Sequence, residues 1–124
     1  MVRPVDRGVI RLAGMTMEMD FYQRRASETA KYPENTGLTY CVLGLASEAG
    51  EVAGKLKKAI RDENGVISES RKADLLAELG DVLWYCAMVA MELDTTLSSV
   101  AEENLIKLFD RKDRDVIGGD GDKR

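Results

Sequence analysis

Residues 70–93 read SRKADLLAELGDVLWYCAMVAMEL, and this stretch decides the fold. It holds no proline and a single glycine, Gly80, and its apolar residues return at steps of three and four. Leu76, Leu79, Leu83, Cys86, Ala90 and Leu93 make one stripe of a helix. At about 100° per residue, Trp84, Met88 and Met91 fall on a different side. A helix that is apolar on two sides is enclosed on two sides. In so short a chain, one side is expected to face the core of a bundle and the other a partner subunit. Met88 and Met91 fit that second side.

Three more helices flank this one. Residues 17–31 lack Gly and Pro and predict a first helix. Tyr32-Pro33-Glu34-Asn35 breaks it, because the residue before a proline resists helical geometry. Asn35 or Thr36 then caps a second helix to about Arg61. Its apolar positions, including Leu38, Cys41, Leu45, Ala49, Val52, Leu56 and Ile60, again keep helical spacing. Asp62-Glu63-Asn64-Gly65 is a turn. Thr95 or Thr96 caps a fourth helix to about Lys112, carrying Leu97, Val100, Leu105, Leu108 and Phe109. No strand signal exceeds Gly65-Val66-Ile67. The fold class is therefore all-α, a four-helix bundle. Residues 1–16 read as an N-terminal extension, 17–114 as the domain, and the Gly- and Asp-rich 115–124 as a flexible tail.

Composition narrows the chemistry. The 124 residues suit one domain. There is no histidine, which excludes His-based zinc sites and Ser-His-Asp or Cys-His catalysis. The net charge of -4 argues against a general nucleic-acid binder, whose affinity rests on phosphate contacts. The two cysteines, Cys41 and Cys86, lie in apolar runs and read as reduced core thiols. Residues 1–14 lack the apolar run of a signal peptide, and 82–91 is too short to span a bilayer. A cytoplasmic protein with no membrane partner is expected.

Glu48 and Glu51 stand three apart on the second helix, as do Glu78 and Asp81 on the third. Residues three apart share a helix face, so each pair can aim at one point. Four clustered carboxylates need a cation, and hard oxygen donors without His or Cys select Mg²⁺ or Mn²⁺. Such pairs are also common on solvated helix faces, and spacing alone leaves a metal site and a polar rim equally open. Gly50, Gly54 and Gly80 lie beside the acids. A glycine inside a helix costs roughly 1 kcal/mol relative to alanine, and makes sense where a backbone or ligand comes close.

Ala46-Ser47-Glu48-Ala49-Gly50-Glu51-Val52, followed by Glu78-Leu79-Gly80-Asp81-Val82-Leu83-Trp84-Tyr85, resembles the MazG-like nucleoside triphosphate pyrophosphohydrolases of the all-α superfamily. That family's signature is Glu-Glu-x-x-Glu, a spacer, then Glu-x-x-Asp. Ser47 departs from it, standing where the first Glu belongs. Tyr22-Gln23 with Ala26, the basic run Lys55, Lys57, Lys58 and Arg61, and Asn104-Leu105-Ile106-Lys107-Leu108 with Arg111 are similar to the phage and bacterial MazG-like branch. So is the ending Gly119-Asp120-Gly121-Asp122-Lys123-Arg124.

The resemblance implies hydrolysis of nucleoside triphosphates, deoxy forms foremost, to the monophosphate and pyrophosphate. It implies Mg²⁺, with Mn²⁺ as a substitute, held by Glu48, Glu51, Glu78 and Asp81. Glu48 or Glu51 would also activate the attacking water. Lys58, Asn104, Lys107 and Arg111 are the phosphate-binding candidates, and Gln23 is a candidate for the base. Tyr22 or Trp84 offers a stacking face, although packing is the plainer account of Trp84. Lys55, four after Glu51, reads as an ordinary helix ion pair. A homo-oligomer, dimer or tetramer, with sites near subunit interfaces is implied as well, in a bacterial cytoplasm or that of a phage host. The same fold acting on dUTP, dCTP or phosphoribosyl-ATP, or serving as a non-catalytic regulatory partner, is the alternative.

Overall fold

The structure is a computed structural model that describes residues 16–124; the N-terminal extension expected over 1–16 lies, but for Thr16, outside the described residues. It is all-helical, with no strand among the described residues. The helices are α1 (Met19–Ser27), α2 (Gly37–Asp62), α3 (Glu69–Glu92) and α4 (Leu97–Asp113), with one 3-10 turn at Glu34–Thr36. None is long and apolar enough to cross a membrane.

Side chains near the helix ends set the boundaries. Ser68 caps α3 by accepting from the Arg71 N–H at 3.1 Å. Thr96 caps α4 through the Ser99 N–H, also at 3.1 Å. After α2, Asn64 and Gly65 take left-handed backbone angles, which turn the chain back toward α3. First helix α1 ends four residues before the expected Lys31. There Ser27 Oγ donates to the Arg24 carbonyl and Thr29 Oγ1 to that of Ala26, each at 2.7 Å. Hydroxyls that bond carbonyls in this way compete with helix propagation.

Helices α2 and α3 pair along their length as a hairpin, and α1 packs on α3. Helix α4 touches α1 and α3 but not α2, so the bundle stays open on one side. A Cβ at Gly44 of α2 would overlap the Tyr85 ring of α3, which accounts for that glycine. The core gathers Ala26, Cys41, Ala87, Met88, Ala90 and Leu97, with Tyr22, Tyr32, Trp84 and Met91 packed around them.

This core draws on both expected sides of α3, with Ala90 of the main stripe buried and Cys86 packed beside it. Met88 is fully buried among Ala26 and Cys41, and Met91 packs on the same cluster. The leucines of the main stripe, Leu76, Leu79, Leu83 and Leu93, are all exposed, by 44 to 57%. The physical reason is length. A helix of 9 residues spans about 14 Å and cannot cover one of 24 residues, about 36 Å long. Helix α2 runs along α3, but α1 covers only its C-terminal half, and periodicity cannot reveal which half has that second neighbour.

Gln23 ties three elements together. Its Nε2 donates to the carbonyls of Ala87 (3.2 Å) and Thr95 (3.1 Å), and its Oε1 accepts from the Leu97 N–H at 3.0 Å. The last bond satisfies an N–H at the free start of α4. Asp20 adds a second clasp there, accepting from Ser98 N–H and Oγ, and these bonds hold its carboxyl below the usual range. Gln23→Ala leaves buried donors and acceptors unpaired and is expected to cost roughly 2–4 kcal/mol. Urea denaturation followed by circular dichroism checks this, and a loss below about 0.5 kcal/mol, the level of ordinary surface substitutions, would refute the clasp.

Candidate metal centre

Pairing α2 with α3 brings the acids together. Glu48, Glu78 and Asp81 each present a carboxylate oxygen, and the three oxygens lie within 4.8 Å of one another. Glu51 is on the same side of α2 one turn further on, exposed and outside this three-oxygen group. Glu48 and Glu78 are half-buried and Asp81 is exposed, so the group opens to solvent on the Asp81 side.

The electrostatics are those of a site short of positive charge. Desolvation pushes the Glu48 carboxyl above its ordinary range, and repulsion from Asp81, Glu78 and Glu51 pushes it further. Among the described residues the one cation within 4.0 Å of these carboxylates is Lys55, whose Nζ lies at that distance from Glu78 Oε1. Lys55 thus reaches across to α3 rather than to Glu51 on its own helix. One ammonium at that distance does not neutralise three carboxylates. Convergent hard oxygens with unbalanced charge fit a divalent cation such as Mg²⁺ or Mn²⁺.

A cavity of about 360 Å³ adjoins the acids, lined by Thr29, Glu48, Asp81, Trp84 and Tyr85. Trp84 is fixed by its indole N–H, which donates to Thr29 Oγ1 at 2.9 Å and to the Ala26 carbonyl at 3.3 Å. Tyr85 meets it edge to face at 4.9 Å. Trp84 therefore packs, as expected, and also walls the cavity. Tyr85 and Thr29 were given no site role by the sequence reading. Tyr85 follows Asp81 by one helical turn, and that spacing was the available signal. Tyr22 is half-buried, with its hydroxyl pushed up by burial and by the charge of Asp81.

The other candidates lie elsewhere. Gln23 is buried, and its amide is committed to the backbone bonds described above. Asn104 and Lys107 line a separate open groove of about 520 Å³ along α4, and neither borders the cavity beside the acids. Arg111 is buried and, with Lys107, bonds to Asp122 of the C-terminal segment. The segment expected to be a free tail thus folds back onto α4. Lys58 is exposed on α2. A Cβ at Gly50, Gly54 or Gly80 would meet nothing within 4 Å, so among the described residues none makes the close approach those glycines suggested.

Comparison with known proteins agrees with this geometry. Residues 37–115 match the MazG nucleotide pyrophosphohydrolase domain, a span that contains both acid pairs and all of α4. The chain is 52% identical over 114 residues to the Gene 37 protein of Mycobacterium phage L5, covering 87% of this chain and all of the relative. No solved structure matches significantly. With the domain matched across most of the described helices and the acids gathered where α2 meets α3, the chain belongs to the MazG nucleotide pyrophosphohydrolase family.

Proposed function

We propose that the protein hydrolyses nucleoside triphosphates, deoxynucleoside triphosphates foremost, to the monophosphate and pyrophosphate. The observation that carries this reading is the convergence of Glu48, Glu78 and Asp81 within a MazG domain. These three and Glu51 would hold Mg²⁺, with Mn²⁺ as a substitute. The ion, when bound, neutralises triphosphate charge and acidifies water for attack at the α-phosphorus. Glu48 and Glu51 carry the proton chemistry. A carboxylate has two oxygens, so either residue can give one to the ion and take a proton from the attacking water with the other. Trp84 and Tyr85 limit water on the cavity side, and Lys55 holds Glu78 in position.

Lys58 lies on the helix that bears Glu48 and Glu51, whereas the phosphate-binding roles of Asn104, Lys107 and Arg111 on α4 require more than one chain. Asn104 and Lys107 face a groove apart from the acids, while Leu76, Leu79 and Leu83 stay exposed on the helix that bears the acids. Apolar exposure on this scale in a small domain marks an association surface. We infer a homo-oligomer, dimer or tetramer, in which α4 of a second copy comes to the carboxylates. Gln23 acts in this reading by anchoring α4 and not by touching a base.

Pyrophosphate release from a panel of dNTPs and NTPs is expected with Mg²⁺ and is expected to vanish with EDTA. Glu51→Gln combined with Asp81→Asn should lower turnover by at least about 100-fold while the helical circular dichroism persists. Full activity in that variant would remove the assignment.

Proton and metal compete for Glu48. Its folded carboxyl titrates above the unfolded one, so the folded state holds the extra proton between the two. Metal-free stability therefore falls as pH rises through the raised range. Added Mg²⁺ should raise the melting temperature above that range and lose its effect below it. A Mg²⁺ shift equal at pH 4 and pH 8 would contradict metal binding at Glu48.

Sedimentation should show a species heavier than the 13.7 kDa chain. Leu79→Glu with Leu83→Glu should shift it toward monomer, and an unchanged profile would place the interface elsewhere.

A further inference from the structure

Lys107 and Arg111, two of the three cations offered above for phosphate, already hold an anion of the chain itself. Lys107 Nζ donates to Asp122 Oδ1 at 2.8 Å, and Arg111 Nη2 donates to the same oxygen at 3.1 Å. Arg111 also donates to the Asp122 main-chain carbonyl. One carboxylate oxygen thus bridges two cations that stand one helical turn apart. The pair draws the Asp122 carboxyl below its usual range, Lys107 contributing first.

The segment returns to α4 through turns. Asp115, Gly119 and Gly121 all have positive φ, and a chain in this conformation doubles back within a few residues. Arg114 Nη2 donates to the Arg124 carbonyl at 2.9 Å, and Arg124 Nη2 to that of Ile117 at 3.0 Å. Little apolar burial supports these contacts, since Ile117 is 53% exposed.

The two ends of the central ion pair differ sharply. The Arg111 side chain is 6% exposed, whereas that of Asp122 is 77% exposed. An exposed carboxylate is a weak and screened partner. A phosphate group brings more charge and three oxygens, and it matches the guanidinium fork better. The groove bordered by Asn104 and Lys107 lies next to the same cations and has room for further phosphates.

We propose that residues 117–124 form a self-ligand strap, in which Asp122 sits in the polyphosphate seat of α4 and a polyphosphate displaces it. The proposal rests on the reading that Lys107 and Arg111 bind phosphate. The strap keeps a buried guanidinium paired while the seat is empty. It also lowers the apparent affinity for any anion too weakly charged to replace Asp122, because only the strap-open fraction can bind.

Calorimetric titration of the full-length protein with inorganic tripolyphosphate at low salt tests both layers. Asp122→Asn is expected to bind about three- to fivefold tighter than the unaltered chain, the range released by losing an exposed ion pair. Lys107→Gln is expected to bind more weakly by a similar factor. Truncation after Gly118 should act in the same direction as Asp122→Asn. Unchanged binding in Lys107→Gln would remove the phosphate reading of α4, and the strap with it. Weaker binding in Lys107→Gln, together with equal or weaker binding in Asp122→Asn and in the truncated chain, would leave the phosphate reading standing and overturn the strap. Amide exchange over 115–124 should speed up when tripolyphosphate is added. Slower exchange there would likewise overturn displacement.

Discussion

The pairing of α2 with α3 is the constraint on which the rest of the molecule depends. Two helices joined by a short turn lie antiparallel, and here the facing side of α2 carries small or slender residues, with Gly44 making room for Tyr85. That contact draws Glu48 toward Glu78 and Asp81. Desolvation, and then the crowding of like charges, raise the carboxyl of Glu48, and packing elsewhere along the hairpin must exceed that cost. A cation removes that repulsion, so metal affinity and folding are linked through the same three oxygens.

Much of the architecture was legible because it is local. The breaks at Pro33, at Asn64-Gly65 and at Thr96 each follow from the backbone preferences of one or two residues, and the structure places them within a few positions. That Glu78 and Asp81 share a face was legible from spacing, because three residues nearly complete a helical turn; that Glu48 joins them and Glu51 does not was not. What sequence could not supply was the identity of each neighbour. Met88 and the leucines of α3 are equally apolar, and only the shortness of α1 decides which is covered. Gln23 looked like a free amide with a donor and an acceptor. Its commitment to Ala87, Thr95 and Leu97 depends on contacts more than sixty residues away in the chain. Arg111 was legible as a cation on α4, but its return partner in the last three residues was not.

The open side of the bundle has the same origin. An N-terminal helix of nine residues and an α4 anchored by its first turn leave Leu76 and Leu79, in the N-terminal half of α3, exposed beside α2. The clasp made by Gln23 and Asp20 holds the start of α4 while the remainder projects from the body, with Leu105, Ile106 and Phe109 exposed. A rigid attachment at one end and an uncovered apolar length beyond it suit a helix that completes its packing on another copy.

Trp84 is the one tryptophan of the chain, and its indole is pinned by Thr29 and Ala26 at the wall of the cavity beside Asp81. All indole fluorescence therefore arises from one place, next to the carboxylates. The molecule carries its own optical reporter. A change in emission on adding a ligand speaks for this cavity alone, with no competing signal from a distant ring.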